Sequence, residues 1–226
     1  MHHHHHHGGS GWKAGLLAAA LTIGFAGAAG AHPHVFVESR AEVVFDDAGR
    51  LSAVRHVWQF DEAFTAFAVQ GLDENGDGEL SREELQPLAE VNVESLAEYD
   101  FFTFLHHNGT DIAFEPPREY WLDFYGGRLT LFFTLPLREP RVVDASTVEL
   151  DVFDPAYFVA FEMTPETPFA LVGAPQTCTL DFTPPPALDP QTATVLAAIP
   201  QSERQLPSDL MQITETLSNS ARIGCK

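Results

Sequence analysis

Residues 73–84 read Asp-Glu-Asn-Gly-Asp-Gly-Glu-Leu-Ser-Arg-Glu-Glu, and this stretch organises the interpretation of the whole chain. Oxygen ligands fall at positions 1, 3, 5, 7, 9 and 12 of a twelve-residue calcium loop, with position 7 using its carbonyl. The residues at these positions are Asp73, Asn75, Asp77, Glu79, Ser81 and Glu84. Gly78 stands where such a loop must turn sharply. The spacing therefore predicts a calcium site, and the alternative is an acidic, solvated turn between two helices.

Apolar residues flank this loop at helical spacing. Those before it are Phe60, Phe64, Phe67, Ala68 and Leu72, and those after it are Leu85, Leu88, Val91 and Leu96. The pattern predicts a helix-loop-helix unit of the EF-hand type over about residues 60–99. Residues 46–52 resemble half of a second loop but lack its later glutamate, so they predict a hairpin turn. A single hand must pack on the rest of the chain or pair with another copy.

Outside this unit, short apolar segments alternate with turn residues. The strands predicted are 35–45, 51–59, 101–107, 110–114, 119–125, 128–137, 147–153, 157–163 and 177–182. Asn108-Gly109 and Gly126-Gly127 predict tight hairpin turns. Residues 191–199 and 208–221 predict short helices near the C-terminus. We therefore expect a mainly β fold with some α: a β-sandwich-like domain carrying an inserted helix-loop-helix EF-hand and short C-terminal helices.

The N-terminal residues indicate export. Residues 1–11 contain six consecutive histidines and a Gly-Ser linker, which is typical of an expression tag. Residues 12–31 have Lys13, a short apolar run and an Ala-Gly-Ala ending, which predicts a secretory signal cleaved after Ala31. The run is too short and too rich in small residues to favour a membrane span. We expect a single mature periplasmic domain over 32–226, with no membrane insertion.

Cysteine content and charge narrow the chemistry. Cys178 and Cys225 are the chain's two cysteines, and in an oxidising compartment such a pair predicts one disulfide; a metal site built on them is the alternative. The formal net charge of −20, from 12 basic and 32 acidic residues, argues against nucleic acid as a partner, because phosphate contacts need a basic surface. The same charge favours the binding of cations.

The segment that begins the mature chain, His32-Pro33-His34-Val35-Phe36-Val37, resembles the exported family called domain of unknown function 1007. Other matching segments are 58–62, the Asn-Gly hairpin, 131–136, 153–158 and the cysteine pair. The resemblance implies a periplasmic component of a transport system associated with nickel/cobalt-type permeases. It implies no catalytic residues, and we expect no enzymatic activity.

His32 and His34 are candidate ligands for a transition metal. Cleavage after Ala31 would add the α-amine to the His32 imidazole, and His34 lies two residues on, which is the same side of an extended segment. Such nitrogen ligands suit nickel, cobalt, zinc or copper. Further ligands would be needed, and the candidates are His106, His107, Asp61, Asp123 and Asp154. The alternative is that His34 packs near the first strand; His56 is predicted to be a hydrogen-bonded core residue, and His106 and His107 an exposed hairpin end.

Two functions follow from these observations. The first is a periplasmic metal-binding accessory protein that passes a transition metal to a membrane permease and carries a calcium-binding EF-hand. The second is an exported, calcium-dependent or lanthanide-accepting interaction module without a transition-metal role. Against catalysis, the sequence has no His-Glu-x-x-His helix and no phosphate loop. Copper chemistry at His32 is the one enzymatic alternative.

Overall fold

The computed structural model describes residues 32–226, so the predicted tag and signal segment lie outside the described residues. Within this range the chain forms eleven strands and four α-helices. The strands are β1 (Val35–Phe45), β2 (Leu51–Phe60), β3 (Thr103–His107), β4 (Thr110–Asp111), β5 (Tyr120–Tyr125), β6 (Arg128–Arg141), β7 (Thr147–Val152), β8 (Val159–Met163), β9 (Phe169–Val172), β10 (Cys178–Thr183) and β11 (Asn219–Cys225). The helices are α1 (Glu62–Ala68), α2 (Arg82–Leu96), α3 (Pro190–Ala197) and α4 (Ser208–Glu215), and a 3-10 helix (Ala97–Phe102) follows α2.

The strands form two sheets that confirm the predicted β-sandwich-like class. The first sheet has the order β5-β6-β2-β1-β8, and β9 also pairs with β1. The second has the order β10-β11-β7-β3-β4. Neighbouring strands are antiparallel, except that β8 and β9 run parallel to β1 along successive halves of the same edge. Both predicted hairpins are present, with turns at Asn108-Gly109 and Gly126-Gly127.

A single core lies between the sheets, because alternate residues of the longer strands, such as β1, β3, β7 and β11, face inward. Trp58 on β2 is its largest fully buried side chain. Its ring lies 4.7 Å from that of Phe133 and 5.0 Å from that of Phe161, measured between centroids. The second sheet contributes fully buried Leu150 and Ile223 to the same core. This aromatic core gives the two sheets a rigid frame.

Helix α2 docks on β5, the edge strand of the first sheet. Arg82 at the start of α2 donates from Nε and Nη2 to the two carboxylate oxygens of Asp123, at 2.6 and 3.1 Å. Its guanidinium also lies 5.0 Å from the ring of Trp121, a cation–π contact. The buried face of α2 differs from the prediction at one position: Val93 is buried and Val91 is half-buried. The helix therefore lies against the sheet from its first turn.

The C-terminal segment corrects one prediction. The helix predicted over 208–221 ends at Glu215, and residues 219–225 form β11, inserted between β10 and β7. Burial alternates along β11, but the inward positions begin with the polar Asn219 and the strand has only seven residues, so the sequence pattern did not reveal it. The predicted disulfide is confirmed: Cys178 and Cys225 lie opposite each other in β10 and β11. It fastens the end of the chain to the edge of the second sheet.

Candidate metal sites

The predicted calcium loop joins α1 to α2 and folds back on its own backbone. Asp73 Oδ2 accepts the N–H of Gly78 at 2.8 Å, and Asp77 Oδ1 accepts the N–H of Glu79 at 2.9 Å. Asn75 Oδ1 accepts the N–H of Asp77 at 3.3 Å. Gly78 has a φ of +77°, a left-handed conformation that glycine adopts without steric cost. These bonds orient the first three predicted side-chain ligands.

Ser81 and Glu84 connect the loop to α2 through a capping box. Ser81 Oγ accepts the N–H of Glu84, and Glu84 Oε1 accepts the N–H of Ser81, both at 3.1 Å. Glu84 is thus held at the junction of loop and helix, where the last predicted calcium ligand stands. Asp73 Oδ1 is buried and has no hydrogen-bond partner among residues 32–226.

The loop carboxylates are not gathered around one point in this conformation. No group of three or more His, Cys, Asp or Glu side chains in the described part of the chain lies close enough to hold a metal ion. Asp73, Asp77 and Glu84 are the carboxylates of this loop that would hold a calcium ion, and in this conformation Glu84 accepts from the backbone of Ser81. The donor set itself, carboxylate, amide and carbonyl oxygens, is the chemistry that calcium prefers.

His32 and His34 lie beside each other, as predicted, with ring centroids 5.6 Å apart. His32 is only 2% exposed, and its Nδ1 and Nε2 lie 3.3 Å from Ile199 O and 3.2 Å from Glu203 O. A metal at either nitrogen would displace one of these contacts. His34 Nε2 is buried without a partner among the described residues. Burial, and then the nearby His32, lower the pKa of His34, which favours the neutral imidazole that binds metals.

The three carboxylates considered as additional ligands hold other groups. Asp61 caps α1 through Oδ1 and accepts the N–H of Phe36 through Oδ2 at 2.8 Å. Asp123 holds Arg82, as described above. Asp154 is buried and accepts the backbone N–H groups of residues 156, 158 and 159. Burial raises the pKa of Asp154, and the three donors oppose that rise. These contacts give each carboxylate a structural role.

His56 is a core residue, as predicted. Thr103 Oγ1 donates to Phe101 O at 2.7 Å, so its 3.0 Å contact with His56 Nε2 requires the imidazole to donate. Nδ1 therefore carries no proton, and it is buried without a partner among the described residues. Burial lowers the pKa of His56 to about 3. This residue stays neutral at physiological pH.

His107 differs from the prediction of an exposed hairpin end, because it is 6% exposed. Arg141 Nε donates to His107 Nδ1 at 3.0 Å, so Nε2 bears the proton and donates to Ser146 Oγ at 2.7 Å. Ser146 in turn donates to Asp144 Oδ1 at 2.6 Å. The Ser146 hydroxyl therefore accepts from the imidazole and donates to the carboxylate. The chain of bonds fastens β3 to the turn before β7.

One residue that the sequence analysis did not single out is Asn92, on the buried face of α2. It is 1% exposed, and neither its Oδ1 nor its Nδ2 has a partner among residues 32–226. A polar residue seven positions after Leu85 in an apolar helical stripe was the available signal. Such a signal is weak, because buried asparagines are usually satisfied within the fold.

The fold and sites define a class: a two-sheet β protein with a helix-loop-helix arm docked on one edge and a cross-strand disulfide on the other sheet. Within the described range, no helix has the length and apolarity that crossing a membrane requires. The chain belongs to the family described as "Protein of unknown function (DUF1007)", which matches residues 17–225. It is similar to an uncharacterized protein of Haemophilus influenzae (strain ATCC 51907 / DSM 11121 / KW20 / Rd), with 24% identity over 132 residues. The match covers 58% of this chain, and spans about 62% of the length of that relative.

Proposed function

We propose that this protein is an exported calcium-binding module in which one Ca²⁺, held by residues 73–84, stiffens the arm formed by α1 and α2. Asp73 carries the proposal. Gly78 fixes its Oδ2, while its Oδ1 is buried without a partner in the described range. An anionic oxygen in that position costs free energy unless a cation lies near it. The oxygen ligands at the remaining loop positions supply the rest of a calcium coordination shell.

The charge of the loop supports the same proposal. Six carboxylates stand within these twelve residues, against one arginine: Asp73, Glu74, Asp77, Glu79, Glu83 and Glu84. The mutual repulsion of these carboxylates falls when a cation binds. Trivalent lanthanides should bind as well, because they share the preference of calcium for oxygen ligands. The secretory signal predicted over 12–31 and the disulfide fit an oxidising, calcium-accessible compartment such as the periplasm. There the arm would serve as a calcium-dependent contact surface for a partner.

Glu84→Gln tests the ligand assignment, and Glu83→Gln is its matched control. Both residues lie in the first turn of α2, but only Glu84 occupies loop position 12. Calcium at a hundredfold excess over the dissociation constant should stabilise the wild type by about 2.7 kcal/mol. We expect the corresponding rise in unfolding temperature in wild type and Glu83→Gln, and none in Glu84→Gln. An equal rise in unfolding temperature in both variants would show that Glu84 is not a calcium ligand.

A second candidate function is that of a metal-transport accessory, which binds nickel, cobalt, zinc or copper at His32 and His34 and delivers it to a membrane permease. The observation that favours it is the unpartnered, buried Nε2 of His34, adjacent to a second imidazole. In a chain beginning at His32, the α-amine would add a third nitrogen. His32 would then give up one of its carbonyl contacts.

His34→Ala separates the two functions. Protein beginning at His32, and therefore free of the histidine tag, is titrated calorimetrically with nickel, zinc and copper after saturation with calcium. The accessory function predicts one-to-one binding that is lost in His34→Ala and retained in His106→Ala, since His106 is a partly exposed histidine paired with Asp111. Absence of stoichiometric binding in the wild type would leave calcium as the protein's metal.

A further inference from the structure

A cleft of about 500 Å³ lies beside β4, the short edge strand of the second sheet. We call it the β4 cleft. Its walls are formed by the 3-10 helix, by β3, by residues 111–116 and by Arg138 on β6. Small-molecule sites typically have volumes of about 300–1,000 Å³, so this cleft is large enough for one. Neither the calcium loop nor the pair His32 and His34 contributes to its lining.

One wall of the β4 cleft is aromatic. It contains Phe101, which is 8% exposed, and Phe104 and Phe114, which are half-buried. The Phe104 ring packs against Phe153, with centroids 5.2 Å apart. Because Phe104 and Phe114 keep part of their surface accessible, the cleft presents apolar surface to a ligand that enters it.

The charged groups of the β4 cleft leave one carboxylate unpaired. Arg138 pairs with Glu115, with Nε and Oε1 3.5 Å apart, and Asp111 Oδ1 lies 2.6 Å from His106 Nδ1. The exposed carboxylate of Asp100 has no hydrogen bond or ion pair within the described part of the chain. The three carboxylates outnumber the arginine and the histidine. The cleft and the adjacent Glu115 therefore carry negative charge whether or not His106 is protonated.

A strained turn places Asp100 in this cleft. Asp100, Phe101 and Phe102 have φ angles of +53°, +53° and +50°, a left-handed conformation that costs free energy in residues other than glycine. The Thr103 N–H donates to Asp100 O, and Thr103 Oγ1 donates to Phe101 O at 2.7 Å, so the turn is fixed. It leaves Asp100 exposed and its neighbour Phe101 buried, while both line the cleft. Strained backbone of this kind is concentrated at functional sites.

We propose that the β4 cleft binds an organic ammonium ion, a primary amine carried on a short aromatic or aliphatic chain. The ammonium group would pair with the Asp100 carboxylate, and the apolar chain would cover Phe104 and Phe114. An ammonium group is also attracted to the face of an aromatic ring. The net charge of −20 attracts cations to the protein and repels anions. The proposal is independent of calcium binding, because the cleft shares no residue with the 73–84 loop.

Size and ligand geometry restrict the occupant further. An apolar cavity of about 150 Å³ accommodates benzene, so a cleft of about 500 Å³ holds a ring together with a chain that bears the amine. A metal ion fits less well, because no group of three or more His, Cys, Asp or Glu side chains in residues 32–226 could hold one. An arylalkylamine such as 2-phenylethylamine meets both conditions.

The test is an NMR titration of the full chain with 2-phenylethylamine, in which the signals of Phe104, Ile112 and Phe114 are followed. We expect saturable shifts of these three signals. The alcohol 2-phenylethanol has the same ring and chain but no charge, so it should bind more weakly than the amine. Phenylacetate carries a negative charge, so it should bind more weakly than the alcohol.

Asp100→Asn and Asp181→Asn form the matched pair of variants. Each removes one negative charge, but Asp181 is exposed on β10, at the opposite edge of the same sheet. Asparagine tolerates the left-handed backbone at position 100. We expect Asp100→Asn to weaken binding of 2-phenylethylamine by about two- to fivefold, the effect of one exposed ion pair. Binding of 2-phenylethanol should not change in Asp100→Asn, and Asp181→Asn should affect neither ligand.

Two results would overturn the proposal. One is the absence of saturable shifts at Phe104, Ile112 and Phe114 in the wild type, which includes the case of shifts confined to the acidic 73–84 loop. The other is equal binding of the amine and the alcohol, or an equal effect of Asp100→Asn and Asp181→Asn, because the ammonium group would then have no specific partner in the cleft. The comparison of amine and alcohol uses the wild type alone, so it gives an answer even if Asp100→Asn fails to fold.

Discussion

At the scale of single residues, His56 shows how burial fixes a protonation state. Its ring stacks on Phe133 with centroids 4.9 Å apart and lies 5.2 Å from the ring of Trp58. A second proton on Nδ1 would place a charge among these rings with no partner, and the pKa falls to about 3 for that reason. His56 is therefore neutral in the folded protein at neutral pH.

Acid should destabilise the protein through His56. The unfolded chain binds this proton below about pH 6.5 while the folded chain does not. The contribution of His56 is therefore complete above pH 6.5 and is lost as pH falls towards about 3. The slope is at most about 1.4 kcal/mol per pH unit. Urea unfolding at pH 7 and at pH 5 measures this slope. We expect the difference between the two free energies of unfolding to be smaller in His56→Leu than in the wild type.

His106→Leu is the control for that measurement. The His106 side chain lies at the hairpin end and is partly exposed, so this substitution removes a histidine that is not in the core. It should keep the wild-type difference between pH 7 and pH 5. Equal differences in His56→Leu and the wild type would show that His56 does not govern the acid response.

The sequence predicted the burial of a residue correctly where that burial follows from the residue's position in a single strand. His56 lies in an apolar alternating strand, so its burial could be predicted. His107 could not be placed in the same way. Its burial depends on Arg141 and Ser146, which are distant in sequence and reach it only after β3, β6 and β7 have assembled.

At the scale of elements, the helical arm followed directly from local sequence. Asp61 caps α1, and Ser81 with Glu84 caps α2, so both helices begin at signals that are readable in the chain. The docking of α2 on β5 was not readable, because the Arg82–Asp123 contact spans 41 residues. Strand β9 was also missed, since its four residues are too few to give a clear alternation.

The disulfide is the feature of the β10–β11 pair with the largest expected effect on stability. Cys178 and Cys225 are separated by 47 residues, and closing a loop of that length stabilises by up to about 4 kcal/mol in the chain-entropy description. The double variant Cys178→Ala/Cys225→Ala should therefore have a lower free energy of unfolding, measured by urea denaturation. Wild-type protein under reducing conditions should show a similar loss. An unchanged free energy in both would mean that the β10–β11 pairing alone holds the C-terminus.

At the scale of the whole molecule, the sequence pattern predicted the fold class but not the order of the strands in the two sheets. Frequent turns and short alternating strands indicated a sandwich. The parallel pairing of β8 and β9 with β1 had no local signal, and neither did the interior place of β11 in the second sheet, because both depend on long-range pairings. The sandwich nevertheless explains why a single helical arm can persist: it packs on β5 of its own chain.

Calcium binding by residues 73–84 is the central claim, and calorimetric titration of protein beginning at His32 tests it most directly. The account predicts one calcium per chain, with heat that disappears in Glu84→Gln and remains in Glu83→Gln. A terbium titration should give the same stoichiometry, since lanthanides prefer the same oxygen ligands. No binding in the wild type, or undiminished binding in Glu84→Gln, would contradict the account and leave the loop as an acidic turn.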